Sequence, residues 1–250
     1  MAEELKFPSE EELIKDLKGL ARKEQAIALS ISALQSGKFQ HPDGRVDLLN
    51  NVRVSMEHAA LLAYLAQRCS TTLSIEIGFG MGSSAAIILG TRRLQKKPFV
   101  HLIYDPYGLP DNAGKIVQSY LEGHFPKGFR RIEKPSEIGL AELIDNRGLG
   151  IAGLIFIDGG HQFENVMTDF VLADKLCCDG GYIVLDDAWF PAIESVVNYV
   201  KANRPDYAVS HLAVPNCTVL RKTGPDMRTW DAFTPFEVPQ RQNWTRSVRA

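Results

Sequence analysis

Between Leu73 and Asp187 five strand-like runs alternate with helix-length segments, and no other feature restricts the fold as tightly. The runs are LSIEIG (73–78), FVHLIYD (99–105), RRIEKP (130–135), IAGLIFID (151–158) and GGYIVLDD (180–187). The intervening stretches at 82–97, 112–123, 137–146 and 162–178 carry apolar residues at helix spacing. Alternating units of this kind demand right-handed crossovers, and so an α/β fold with a doubly wound, mostly parallel, Rossmann-like sheet. A further helix is expected over 191–203. YAVSHLAV and CTVLRKT then follow too closely for an intervening helix, which predicts an antiparallel pair at one sheet edge.

Ahead of this core, residues 9–35 read as an amphipathic helical region, with Leu13, Leu17, Leu20, Ile27, Ile31 and Leu34 on one stripe. Gly37 and the HPDGR turn at 41–45 end it, and Ser55 is placed to cap a helix running to Arg68. The organisation expected is an N-terminal helical extension over 1–54, acting as lid or oligomer arm, a main domain over 55–223, and a tail over 224–250. That tail holds Trp230, Phe233, Phe236 and Trp244, too many aromatics for a free coil, so it is expected to pack on the domain or on a second copy of the chain.

Three acidic residues close two of the runs: Asp158 in FIDGGH, and Asp186 with Asp187 in YIVLDD. On neighbouring parallel strands such tips lie about 5 Å apart. Charges that close repel, so one carboxyl takes up a proton or a cation sits among them. Oxygen ligands without nearby thiols suit Mg²⁺ or Ca²⁺. His161, three residues past Asp158 at a helix start, reaches the same cavity and is a candidate base. The competing assignments are that Asp158 is itself the base, or that His161 only orients a substrate.

The first run leads into Glu76-Ile-Gly78-Phe79-Gly80-Met-Gly82-Ser83. Gly78 and Gly80 permit a tight turn and let backbone amides approach a ligand. The third glycine falls one residue early for a dinucleotide loop, and Glu76 suits a cationic ligand group better than a pyrophosphate. Asp105, ending the second run, is placed to accept hydrogen bonds from ribose hydroxyls. Together these features point to a nucleoside ligand.

The E-x-G-x-G-x-G loop, the second-strand Asp105, IDGGH and LDD together resemble a class I S-adenosylmethionine-dependent methyltransferase. The flavour is that of the metal-dependent small-molecule O-methyltransferases, the macrocin type and more distantly the catechol type. The resemblance covers about Ser55 to Thr223 and implies a seven-stranded sheet with its last strand inserted antiparallel. It implies S-adenosylmethionine as methyl donor, with Glu76, Gly78 and Gly80 lining the methionine moiety, Asp105 holding the ribose, and Phe79, Gly82 and Ser83 as further donor-binding residues. Ser136 and Glu137 would lie near the adenine, and Asp158 beside the donor. Asp158, Asp186 and Asp187 match the family's metal ligands; Asp187 stands where the catechol type has an amide, which leaves the site more anionic. The activity implied is methyl transfer to a hydroxylated small molecule, such as a natural-product sugar, a vicinal diol or a phenol. A relative with an altered, hydroxylase-associated reaction and a non-catalytic binding protein are the alternatives.

Other classes fit less well. A net charge of −2 gives no basic face for nucleic acid, and no tetrapeptide for flipping a base follows the fourth run. The acidic start lacks a signal-peptide core, no run is long enough for a membrane span, and four cysteines without CxxC spacing read as reduced thiols of a cytoplasmic protein. A homodimer is expected. Arg92, Arg93, Lys96 and Lys97 at the end of a helix read as partners of its negative pole. His41, Arg45 and Arg53 read as surface loop, Trp189 as either pocket wall or packing, and His101 as a core or edge residue.

Overall fold

The computed structural model describes residues 5–49, 54–106 and 114–240, so Arg53, Gly108, Pro110 and Trp244 lie outside the described residues. The helical region at the N-terminus is two helices, α1 (Glu10–Ala21) and α2 (Gln25–Ser36). A capping box between Ser9 and Glu12 starts α1. The break falls at Arg22–Glu24 because Glu24 adopts extended backbone and accepts the Ala26 amide, capping a new helix. Gly37, in the left-handed region at φ 73°, ends α2. The HPDGR turn then joins a small hairpin, β1 (Lys38–Gln40) and β2 (Val46–Leu48), closed by the His41 amide on the Arg45 carbonyl.

The core begins with α3 (Met56–Arg68), capped by Ser55 as its position suggests. There follow β3 (Leu73–Ile77), α4 (Ser83–Leu94), β4 (Val100–Tyr104), α5 (Lys115–His124), β5 (Phe129–Ile132), α6 (Ser136–Arg147), β6 (Ala152–Ile157), α7 (Phe163–Leu176), β7 (Cys177–Leu185), α8 (Pro191–Asn203), β8 (Tyr207–Val214) and β9 (Cys217–Lys222). The sheet has seven strands in the order β5-β4-β3-β6-β7-β9-β8. Pairings from β5 through β7 are parallel, and β9 runs antiparallel to both its neighbours. The edge pair is therefore antiparallel as expected, with β9 wedged between β7 and β8. Strand order reverses between β3 and β6, the place where such sheets bind ligands.

Two layers of helices cover the sheet. On one face Ile75, Ile77, Ile155 and Ile157 pack with Phe170, Val166 and Val196 of α7 and α8. On the other, Leu154, Phe156 and Val184 join Leu61, Leu65, Ile87 and Ile88 of α3 and α4, and that cluster continues through Leu13, Leu17 and Ile27. Helices α1 and α2 thus share the hydrophobic core. Arg92 and Arg93 are structural: Arg92 donates to the Cys69 carbonyl at 2.9 Å, and Arg93 pairs with Glu24 of α2.

Along α8 the tail is tied by Asn203, which exchanges two hydrogen bonds with Thr234 (2.7 and 2.8 Å), and by Tyr199 edge-on to Phe236. Trp230, 98% exposed, stays in solvent. Among the described residues no helix is long and apolar enough to cross a membrane. All four cysteines are unpaired, three of them buried.

Because Leu17 is fully buried against α3, Leu17→Ala should destabilise the chain by about 2–5 kcal/mol in a urea unfolding curve. A loss below about 1 kcal/mol would place α1 outside the cooperative core.

Candidate active site

The site is built where the parallel ladder runs out. Ile77, Ile157 and Leu185 are paired across β3, β6 and β7. The register continues one residue further, with the Asp158 amide on the Ile77 carbonyl at 2.9 Å and the Asp186 amide on the Ile157 carbonyl at 3.1 Å. Gly78 sits beside Asp158 so closely that a Cβ there would overlap the Asp158 carbonyl oxygen. Its φ of 90° is also one that side chains avoid, so both space and backbone require glycine. Gly80 and Gly82 follow with φ of 47° and 70°, and Gly82 leads into α4 without any side-chain cap. The start of α4 therefore has amides not satisfied by a capping side chain, the arrangement that attracts anionic groups. Asp105, one strand over, accepts the Phe79 amide at 2.8 Å and has the Arg131 guanidinium 3.7 Å away.

At the neighbouring tips Asp158, His161 and Asp187 converge, each offering a ligand atom within 4.8 Å of the others. Asp187 is held in the left-handed region at φ 51°, unusual for a residue with a side chain. Its carboxylate accepts the Trp189 indole N–H at 2.7 Å and lies 3.3 Å from His161 Nε2. His161 packs against Phe190, which stacks on Trp189. Burial first, and then the negative charges of Asp186, Asp187 and Glu76, push the Asp158 carboxyl well above the usual carboxylate range.

Asp186 lines the same cavity as Asp158 and His161 and has a further partner behind it. It is buried, its Oδ1 accepts the Asp187 amide, and it faces His58 Nδ1 of α3 at 3.1 Å. The other nitrogen of His58 meets the Pro215 carbonyl, and with acceptors on both sides the imidazole pKa is raised against the effect of burial. His58 went unnoticed in the sequence because it lies inside a helix, 128 positions from its partner. Asp158, His161 and Asp187 thus bring ligand atoms together, while Asp186, lining the same cavity, faces His58 of α3.

Residues 75–188 match the family model of a methyltransferase domain. That match spans a little under half of the chain. Over 138 residues it is 32% identical to an uncharacterized protein of Acanthamoeba polyphaga mimivirus, covering 52% of this chain and 59% of the viral protein. Among solved structures, a Podospora anserina methyltransferase bound to S-adenosylhomocysteine superposes with a TM-score of 0.58 at 18% identity, covering 88% of this chain and 99% of that one. A Bacillus cereus O-methyltransferase, also in complex with S-adenosylhomocysteine, gives a TM-score of 0.58 at 16% identity, over 70% of this chain and 84% of that one. At such identities the likeness is one of fold.

Around this site the other expected donor residues are dispersed in role. Glu76 is enclosed, paired with His101 and Ser84 rather than open to the cavity. The Phe79 ring is buried against Phe129, so the backbone amide is the part of this residue directed at Asp105. Ser83 is buried as the first residue of α4, its carbonyl accepting Ser30 of α2 at 3.0 Å. Ser136 opens α6 and hydrogen-bonds the buried Asp169 of α7, and Glu137 is exposed beside it.

Burial chiefly, with Glu137 adding to it, pushes the Asp169 carboxyl up to about 6, against the lowering effect of Ser136. A raised carboxyl means that the folded state holds its proton more tightly, so this group's penalty is present above pH 6 and relieved as pH falls towards 4. Asp169→Asn should therefore raise stability at pH 7 by up to about 3 kcal/mol, with the gain vanishing near pH 4. Unfolding curves at the two pH values measure this, and an equal effect at both would show that Asp169 does not titrate in that window.

Proposed function

We propose that this chain is an S-adenosylmethionine-dependent O-methyltransferase acting on a hydroxylated small molecule. The reading is carried by one juxtaposition: a positive-φ glycine loop, with Asp105 across from it, at the switch point whose next strand tips present Asp158, His161 and Asp187. The loop amides and the uncapped start of α4 suit the donor's carboxylate, and Asp105 suits its ribose hydroxyls. Glu76, being enclosed, supports the loop from behind.

In the transfer, the bond from sulfur to methyl breaks and a bond from the acceptor oxygen to methyl forms, with the electron pair left on sulfur. The acceptor's proton must go to a base. His161 is the most exposed of the three convergent groups and Asp187 orients it, the pairing that fits a histidine for accepting a proton. Phe190, stacked on Trp189, packs against the His161 ring and helps to hold it in place.

The donor set also fits a divalent cation, because Asp158 is buried beside the negative charges of Asp186, Asp187 and Glu76. Asp158 and Asp187 would hold the ion, with oxygen ligands favouring Mg²⁺, Ca²⁺ or Mn²⁺. Such an ion supplies Lewis acidity that lowers the pKa of a bound hydroxyl.

S-adenosylhomocysteine, but not NAD, should raise the melting temperature. Asp158→Ala should retain that stabilisation while methyl transfer to a panel of sugars, diols and phenols falls at least a hundredfold, and a chelator should inhibit the native chain. Absence of stabilisation by S-adenosylhomocysteine would remove the donor assignment. Full turnover by Asp158→Ala in chelator would remove the metal-assisted mechanism.

A further inference from the structure

Two residues before the glycine loop, Glu76 points into the interior between β3, β4 and α4. Its Oε2 accepts His101 Nε2 at 2.7 Å, and its Oε1 accepts the Ser84 hydroxyl. His101 in turn meets Ser74 Oγ through Nδ1 at 2.9 Å. Ser74, Glu76 and His101 are 0% exposed and Ser84 is 5% exposed. With the Ser74 hydroxyl donating to Nδ1 and the Nε2 hydrogen donating to Glu76, every hydrogen bond in the chain runs towards one carboxylate. A buried anion is tolerated only when its lone pairs are met in this way.

The placement of the two ends matters. Glu76 is on the strand that enters the loop and Ser84 is in the first turn of the helix that leaves it, so their hydrogen bond is a clasp across the glycines 78, 80 and 82. Those glycines are individually permissive, and no side chain caps α4 at Gly82. His101, from the neighbouring strand at the position paired with Ser74, holds the carboxylate of the clasp from the other side.

We propose that His101 is a positioning residue for donor binding: it fixes Glu76 so that the Glu76–Ser84 clasp sets the span of the glycine loop. The proposal rests on the donor reading given above. A leucine at 101 would leave Glu76 with one donor fewer and Ser74 without its partner, in a place that water does not reach. Glutamine offers both an amide N–H and a carbonyl and can restore the chain.

Isothermal titration of the full chain with S-adenosylhomocysteine tests this. His101→Leu should weaken Kd at least tenfold with the stoichiometry unchanged, His101→Gln should stay within about threefold of the native value, and Ser84→Ala should weaken Kd in the same sense as His101→Leu. Unchanged Kd in His101→Leu and Ser84→Ala would overturn the proposal. So would a fall in stoichiometry at constant Kd, which is the signature of partial unfolding alone. If His101→Leu does not fold, Ser84→Ala and His101→Gln decide by the same criteria. No binding by the native chain would instead remove the donor reading itself.

Discussion

The site depends on the hydrogen-bond ladder that brings Ile77, Ile157 and Leu185 level across three parallel strands. Backbone bonds that run one residue past each strand set Gly78, Asp158 and Asp186 side by side. The close contact between Gly78 and the Asp158 carbonyl then makes the glycine loop and the acidic tip one rigid corner. A donor held by the loop and an acceptor held at the tip would share that corner, which is how a fold without specialised catalytic elements can align two reactants.

Electrostatics at this corner is divided between two solutions. Glu76 is deeply buried and satisfied, with hydrogen-bond donors converging on it from β4 and α4. Asp186 is matched by His58. Asp158 has neither arrangement, and its raised carboxyl pKa records that. Glu76 and Asp186 are thus met by partners while Asp158 sits among like charges, the pattern expected where a cation or a proton is to be handled.

Much of the fold was legible because it follows from local period and strand length. The runs ending at Gly78, Asp105, Asp158 and Asp187 are strands whose ends shift by three residues at most, and Ser55 caps its helix as its type suggests. The helix break at Glu24 was not legible, since the apolar stripe continues through it. The break is stabilised by Arg93 and His124, which lie about 70 and 100 positions away. For the same reason the pairing of Asp186 with His58, 128 positions away on α3, was not legible.

By itself the sequence determined the alternating architecture, the glycine loop and the acidic strand ends, because periodicity, φ preference and residue chemistry are local properties. Only the tertiary structure decided which of those side chains face one another. It paired Glu76 with His101, turned Asp186 to His58, brought His161 to Asp187, and folded α1 and α2 into the core. Such pairings depend on which helix packs on which sheet face, and burial makes each of them selective: a charged or polar group removed from water must find the partner that the fold supplies.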